Sequence, residues 1–251
     1  MSLQIHRKNL GQMPLYELAK YTTDTSWREI FETSKDEIER IEMILHKVQK
    51  SFVSYDLPSS AWLFTPRKED LFKVFRETSF KKIKVLILSS EPYSGAYDNG
   101  EPIANGIAFS ADKSIPKCLE QIFVEVSRSY PDFKFPQTGD LTKWCRQGVL
   151  LLNTSLTKML TGERQNQKDI WLPLIAKVIE TVTSKNKNMI ICLWGREVEY
   201  FERYINGSHH ILKSSYPTSS IVKDGFANSG HFKMINDFLK SHGKSQIDWT
   251  L

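Results

Sequence analysis

The 251-residue sequence lacks any apolar run approaching the ~20 residues that a membrane-crossing helix needs. Its longest, Val85–Leu88, Val149–Leu152 and Met189–Trp194, hold only four to six residues, so no helical span and no membrane partner is expected. The N-terminal MSLQIHRKNLGQ is basic but has no apolar stretch behind it; no secretory signal is read there, and an intracellular location, cytoplasmic or nuclear, is expected. Cysteine is scarce. Cys118, Cys145 and Cys192 are odd in number and far apart, with no CxxC pair and no Cys/His cluster, which excludes a disulfide framework and the usual zinc or iron–sulfur spacings. His209 and His210 are adjacent, so in a strand they would face opposite sides and could not share a metal. No metal and no cofactor are therefore expected, and the thiols read as buried and reduced. Fixed-period repeats and Gly/Ser- or Pro-rich linkers are missing as well. Charge is nearly balanced, 34 Lys+Arg against 29 Asp+Glu for a net +5, a mild bias towards polyanions that by itself selects no partner.

What the sequence does have is 40% hydrophobic and 12% aromatic residues, enough for a substantial core. Between Lys35 and Phe52 the apolar residues Ile38, Ile41, Ile44, Leu45 and Val48 recur at steps of three and four, the spacing of an amphipathic helix. Similar patterns lie near Leu119–Ser129, Trp171–Val182 and His231–Ser241. Between them stand short runs, Lys84–Leu88, Val149–Leu152, Met189–Leu193 and His209–Leu212. Continuous apolar runs alternating with helices are what a parallel sheet covered on both faces requires. The expected fold is α/β, a three-layer α/β/α arrangement around a mostly parallel four-stranded sheet. Residues 35–251 read as one domain, and residues 1–34 as an N-terminal extension without a readable pattern.

In open α/β sheets ligands bind outside the carboxyl ends of the strands, and here those ends carry chemistry. Ser89-Ser90-Glu91-Pro92-Tyr93-Ser94-Gly95 follows the first run, with Asn105-Gly106-Ile107-Ala108-Phe109-Ser110 after a short loop. Asn153-Thr154-Ser155 follows the second run, Trp194-Gly195-Arg196 the third, and Ser214-Ser215-Tyr216-Pro217-Thr218-Ser219-Ser220 the fourth. A carboxylate, aromatic faces, a carboxamide and a hydroxyl-rich loop suit a planar heterocycle, since aromatics stack on the ring and an Asn both donates and accepts at its edge.

These segments, with Ile115-Pro116-Lys117-Cys118-Leu119-Glu120, the stretch from Gly139-Asp140-Leu141 through Gly148 to Thr157, Leu193-Trp194-Gly195 and Ile247-Asp248-Trp249, resemble the uracil-DNA glycosylase family in order and spacing over most of the chain. The resemblance implies that Phe109 stacks on an extruded pyrimidine, that Asn153 reads its edge and that Tyr93 walls off C5 to exclude thymine, with Ser90 beside the base. It implies DNA contacts from Ser114, Pro116 and Lys117, from Gly195 and Arg196, and from Ser215, Pro217, Thr218, Ser220 and Ile221; Lys223 is a further cationic candidate. The chain departs from the family pattern at the chemistry. Glu91 stands where the family has its catalytic Asp, Ser90 where it has Gln, Ser94 where a His follows the Tyr, and Tyr216 where a His stabilises the pyrimidine oxyanion. The loop's Leu position falls on Ser220, with Ile221 next to it. Glu91 and Tyr216 are then the catalytic candidates. The expected function is hydrolytic excision of uracil from single- or double-stranded DNA by a monomer, as in base excision repair. Two alternatives stay open at this point, a glycosylase-fold protein that only binds DNA or a partner, and a glycosylase retuned to a modified base.

Overall fold

The computed structural model describes residues 10–22, 24–52, 62–160, 167–220 and 225–251. Its centre is a four-stranded sheet of β2 (Val85–Ser89), β3 (Val149–Asn153), β5 (Ile190–Trp194) and β6 (His210–Ser214) in the order β3-β2-β5-β6. All three pairings are parallel. Every residue of β2, β3 and β5 is buried, which is why these strands read as unbroken apolar runs, whereas edge strand β6 buries only Leu212 and Ser214. The register aligns the carboxyl ends, Ser89 opposite Asn153 and Trp194 opposite Ser214. A two-residue pair, β1 (Phe64–Thr65) with β4 (Lys158–Met159), runs antiparallel beside it and sets Thr65 opposite Lys158.

Right-handed crossovers fix the layers. The β2-to-β3 connection carries α5 (Lys117–Ser129) and α6 (Thr142–Arg146) over one face, where the C-terminal α9 (His231–Ser241) joins them. The connections from β3 to β5 and from β5 to β6 run the other way across the sheet and put α7 (Lys168–Lys185) and the short α8 (Arg196–Glu199) on the opposite face. The chain thus leaves β2 and β5 in opposite directions, and the carboxyl ends of these two neighbours form the topological switch point at which such sheets bind ligands.

On the α7 side pack α3 (Lys35–Phe52), α1 (Leu15–Lys20) and α2 (Thr25–Glu32). The two N-terminal helices bury Leu15, Leu18, Trp27, Ile30 and Phe31 in the same core as the sheet. Trp27 meets Phe75 of α4 (Lys73–Glu77) and Phe80 edge-on at 4.8 and 4.9 Å, and its indole donates to the Thr78 carbonyl. Asp24 caps α2 through Ser26 N and accepts from Phe80 N at 2.8 Å. Helices α1 and α2 thus belong to the α7-side layer; their buried residues, Leu15 with Leu18 and Ala19 and Trp27 with Ile30 and Phe31, recur at steps of three and four, but each pattern lasts only about two turns. Among the described residues no helix is long and apolar enough to cross a membrane.

Candidate active site

The end of β2 is clamped by the turn after β3. Thr154 N donates to the Ser89 carbonyl at 2.7 Å, and both Ser155 N and Thr154 Oγ1 donate to that of Ser90 at 2.9 and 3.0 Å. This fixes the backbone from which Glu91 projects. Glu91, with a side chain 44% exposed, accepts at Oε1 from Lys158 Nζ at 2.5 Å.

The loop at 105–110 is held from two sides. Asn105 Nδ2 donates to Ser110 Oγ and Asp112, Ser110 Oγ donates to the Gly139 carbonyl, and Leu141 N donates to Ser110 Oγ. A Cβ on Gly139 would stand 2.2 Å from the Ser114 carbonyl, so this close approach of two segments requires glycine. Phe109 has φ +64°, a left-handed conformation that a bulky residue rarely adopts and that costs on the order of 1–3 kcal/mol. Tyr93 pins it there by donating from its hydroxyl to the Phe109 carbonyl at 2.9 Å.

A crevice of about 930 Å³ opens above the switch point, within the range of small-molecule sites. Ser90, Glu91, Tyr93 and Ser94 line it after β2, Trp194, Gly195 and Arg196 after β5, and Ser215, Tyr216 and Ser219 after β6. Gly195 has φ +108° and abuts Tyr216, so the turn that starts α8 and the Tyr216 loop touch. Phe109 and Asn153 do not line the crevice. Both are buried, and the Phe109 ring lies against two residues that do line it, Trp194 at 5.6 Å and Tyr216 at 6.1 Å between centroids. Asn153 Oδ1 has no hydrogen-bond partner among the described residues.

Burial pushes both phenols, Tyr93 and Tyr216, well above the usual tyrosine range, with Cys118 and Glu91 raising Tyr216 further. Both are therefore hydrogen-bond donors at neutral pH. Cys118 lies against Tyr216, and burial pushes its thiol up to about 12; all three cysteines are free and buried.

Of the remaining sequence candidates, Ser114 and Pro116 precede α5, which Pro116 caps, and exposed Lys117 opens it. They stand outside the crevice, as do buried Pro217 and exposed Thr218 and Ser220. Ile221 and Lys223 lie outside the described residues. Among the described residues no group of three or more His, Cys, Asp or Glu side chains could hold a metal ion.

Several residues that shape the site carry no local sequence signal. Lys158 pairs with Glu91 across 67 positions. Glu125 of α5, fully buried, accepts from Asn228 N and Gly230 N at 2.8 and 2.9 Å and pairs with Arg128; it thereby ties down the return loop that reaches Ser215 through the Phe226 N to Ser215 Oγ bond. Trp194 donates from Nε1 to buried His231 Nδ1 at 3.0 Å, so that imidazole is neutral, and burial lowers its pKa from 6.5 to about 4.

This histidine sets an acid limit. The unfolded chain takes up a proton near pH 6.5 that the folded chain refuses until about pH 4, so the stabilisation is full above pH 6.5 and is lost as pH falls. The loss reaches about 3 kcal/mol at pH 4. Urea titrations at pH 7 and 4.5 should show it, and His231→Gln should flatten the difference; an equal acid loss in that variant would assign the effect elsewhere.

No family model matches the chain. It is 32% identical over 233 residues to a uracil-DNA glycosylase of Proteus mirabilis, covering 92% of this chain and 98% of that protein. It is also 32% identical over 234 residues to one of Dichelobacter nodosus, covering 91% and 95%. Among solved structures the crystal structure of mimivirus uracil-DNA glycosylase superposes with a TM-score of 0.83 at 25% identity, over 96% of this chain and 91% of that one. Likeness of this extent in both sequence and fold, around a crevice at the switch point, shows that the chain belongs to the uracil-DNA glycosylase family.

Proposed function

We infer that the chain excises uracil from DNA, hydrolysing the N-glycosidic bond of an extruded nucleotide as a monofunctional glycosylase of base excision repair. The observation that carries this reading is the Asn153 carboxamide oxygen, buried at the end of β3 with no hydrogen-bond partner among the described residues. An unsatisfied buried acceptor costs about 1–3 kcal/mol, and the imide N–H of a uracil ring would satisfy it. Glycosylases extrude the target base, stack it and hydrogen-bond its Watson–Crick edge. Phe109, held in a strained conformation, supplies the stacking face. Because the Phe109 ring is buried against Tyr216 and Trp194, base entry to that face turns on movement of the Tyr216 ring. Tyr93 bounds the ring's C5 side.

As the glycosidic bond stretches, the sugar becomes oxocarbenium-like and the departing pyrimidine takes the bonding electron pair. The Glu91 carboxylate stabilises the cation and accepts a proton from the attacking water. The neutral Tyr216 hydroxyl and Asn153 donate to the pyrimidine anion, the role of an oxyanion hole. Arg196 with Gly195, the Ser215–Ser220 segment, and the Ser114–Lys117 turn grip the DNA backbone, and the chain acts on it as a monomer.

The test is single-turnover base release from matched oligonucleotides carrying uracil, thymine, cytosine or a C5-modified pyrimidine. Uracil should be released while the others stay intact over the same interval. Release of a different base, or of none, overturns the reading.

A further inference from the structure

Glu91 leaves its loop at the mouth of the crevice, where a flexible, 44% exposed carboxylate would sample several rotamers. A carboxylate that must meet both a water and a developing cation cannot afford that freedom, since an error of about 1 Å costs about 100-fold in rate. Lys158 restricts it. Its ammonium sits 2.5 Å from Glu91 Oε1, and its own side chain is only 15% exposed. Ion pairs at the surface contribute only about 0–1 kcal/mol to folding, so stability alone gives little reason for the enclosed Lys158 side chain to end on the exposed Glu91 carboxylate.

The backbone that carries Lys158 is braced on both sides. Lys158 pairs with Thr65 in the β1–β4 ribbon. The preceding Thr157 accepts at Oγ1 from the Trp171 indole at 2.7 Å and donates to Gln167 Oε1, and its carbonyl accepts from Ser155 Oγ. Both backbones are held, but the Lys158 side chain is the more enclosed of the two, 15% exposed against 44% for Glu91, so the carboxylate is the partner with more freedom to lose. Lys158 also lines the crevice itself.

We propose that Lys158 is the positioning residue for the hydrolytic carboxylate: it holds Glu91 by Oε1 and leaves Oε2 to take the water. This rests on the reading of Glu91 as the group that handles the water in uracil excision.

Lys158→Met should lower single-turnover uracil release about 10- to 100-fold while affinity for an oligonucleotide carrying an abasic-site analogue stays within about threefold. Lys158→Arg, which keeps the charge and reach, should restore most of the rate. Because the lysine acts through the carboxylate, Lys158→Met placed in a Glu91→Gln background should change the residual rate by less than about threefold. Lys158→Gln replaces the methionine variant if thermal melting shows that K158M does not fold. A loss of affinity at unchanged rate would make Lys158 a DNA contact and overturn the proposal, as would an undiminished effect in the Glu91→Gln background. If the unaltered chain excises uracil and K158M matches it, only the role of Lys158 falls; if the unaltered chain releases no uracil, the proposed function falls and this role with it.

Discussion

Glu91→Ala is expected to slow uracil release about 1,000- to 10,000-fold while the protein remains folded and still binds uracil-containing DNA. The variant removes two contributions together. A positioned general base accounts for about 100- to 10,000-fold, and an anionic oxygen facing an oxocarbenium-like sugar adds electrostatic stabilisation that bulk water does not reproduce. Folding should survive because the carboxylate is half-exposed and its pairing partner, Lys158, keeps an anchored backbone. Binding should survive because stacking and edge reading are assigned to Phe109 and Asn153, on other segments. The measurement is single-turnover release followed for hours, with duplex affinity and thermal melting alongside. A rate within tenfold of the unaltered chain removes Glu91 from the mechanism.

Glu125→Ala should cost about 3–5 kcal/mol of stability, the largest single-site effect on folding expected outside the apolar core. Glu125 is 1% exposed and is surrounded by donors, Asn228 N, Gly230 N, Ser229 Oγ and the Arg128 guanidinium. Deleting the carboxylate strands two backbone N–H groups at the start of α9, each an unmet donor worth about 1–3 kcal/mol, together with a half-exposed cation whose partner was buried. Glu125→Gln should recover part of the loss, since one amide oxygen still accepts but the NH2 opposes the second donor. Urea unfolding compares the three proteins. A loss below about 1 kcal/mol in the alanine variant would mean that water or a shifted loop replaces the carboxylate without penalty.

The sheet and its four covering helices could be read in the sequence because burial on both faces leaves a direct trace. Val85–Leu88 and Met189–Trp194 are apolar at every position since no side of those strands meets water. Part of the crevice lining, including Glu91, Tyr93, Arg196 and Tyr216, was legible for the same reason, because polar residues placed directly after buried runs mark the carboxyl edge of a parallel sheet, whereas Phe109 and Asn153 stand outside that lining. Glu125 was hidden, sitting in a helix whose pattern (LEQIFVEVSRS) gives no sign that one of its acids turns inward. Lys158 was hidden by distance, since pairing across the fold has no local signature. Phe109 misleads in another way. Positive φ is normally announced by glycine or asparagine, and here a bulky aromatic holds it through tertiary bonds from Tyr93. Helices α1 and α2 escaped because they are short, and their ties run to distant residues, Leu15 N to Glu42 for α1 and Trp27 and Asp24 to Thr78 and Phe80 for α2.

The strand order also bears on time. β2 lies between β3 and β5, and roughly 100 residues separate the end of β2 from the start of β5. At a synthesis rate of about 5–20 residues per second, β2 waits roughly 5–20 s on the ribosome with at least one pairing edge unpaired. Only when β5 emerges can β2 complete its hydrogen bonding on that edge and the crevice above acquire its second wall. Assembly of the crevice is thus tied to the last third of the chain, where β5, β6 and the Tyr216 loop lie.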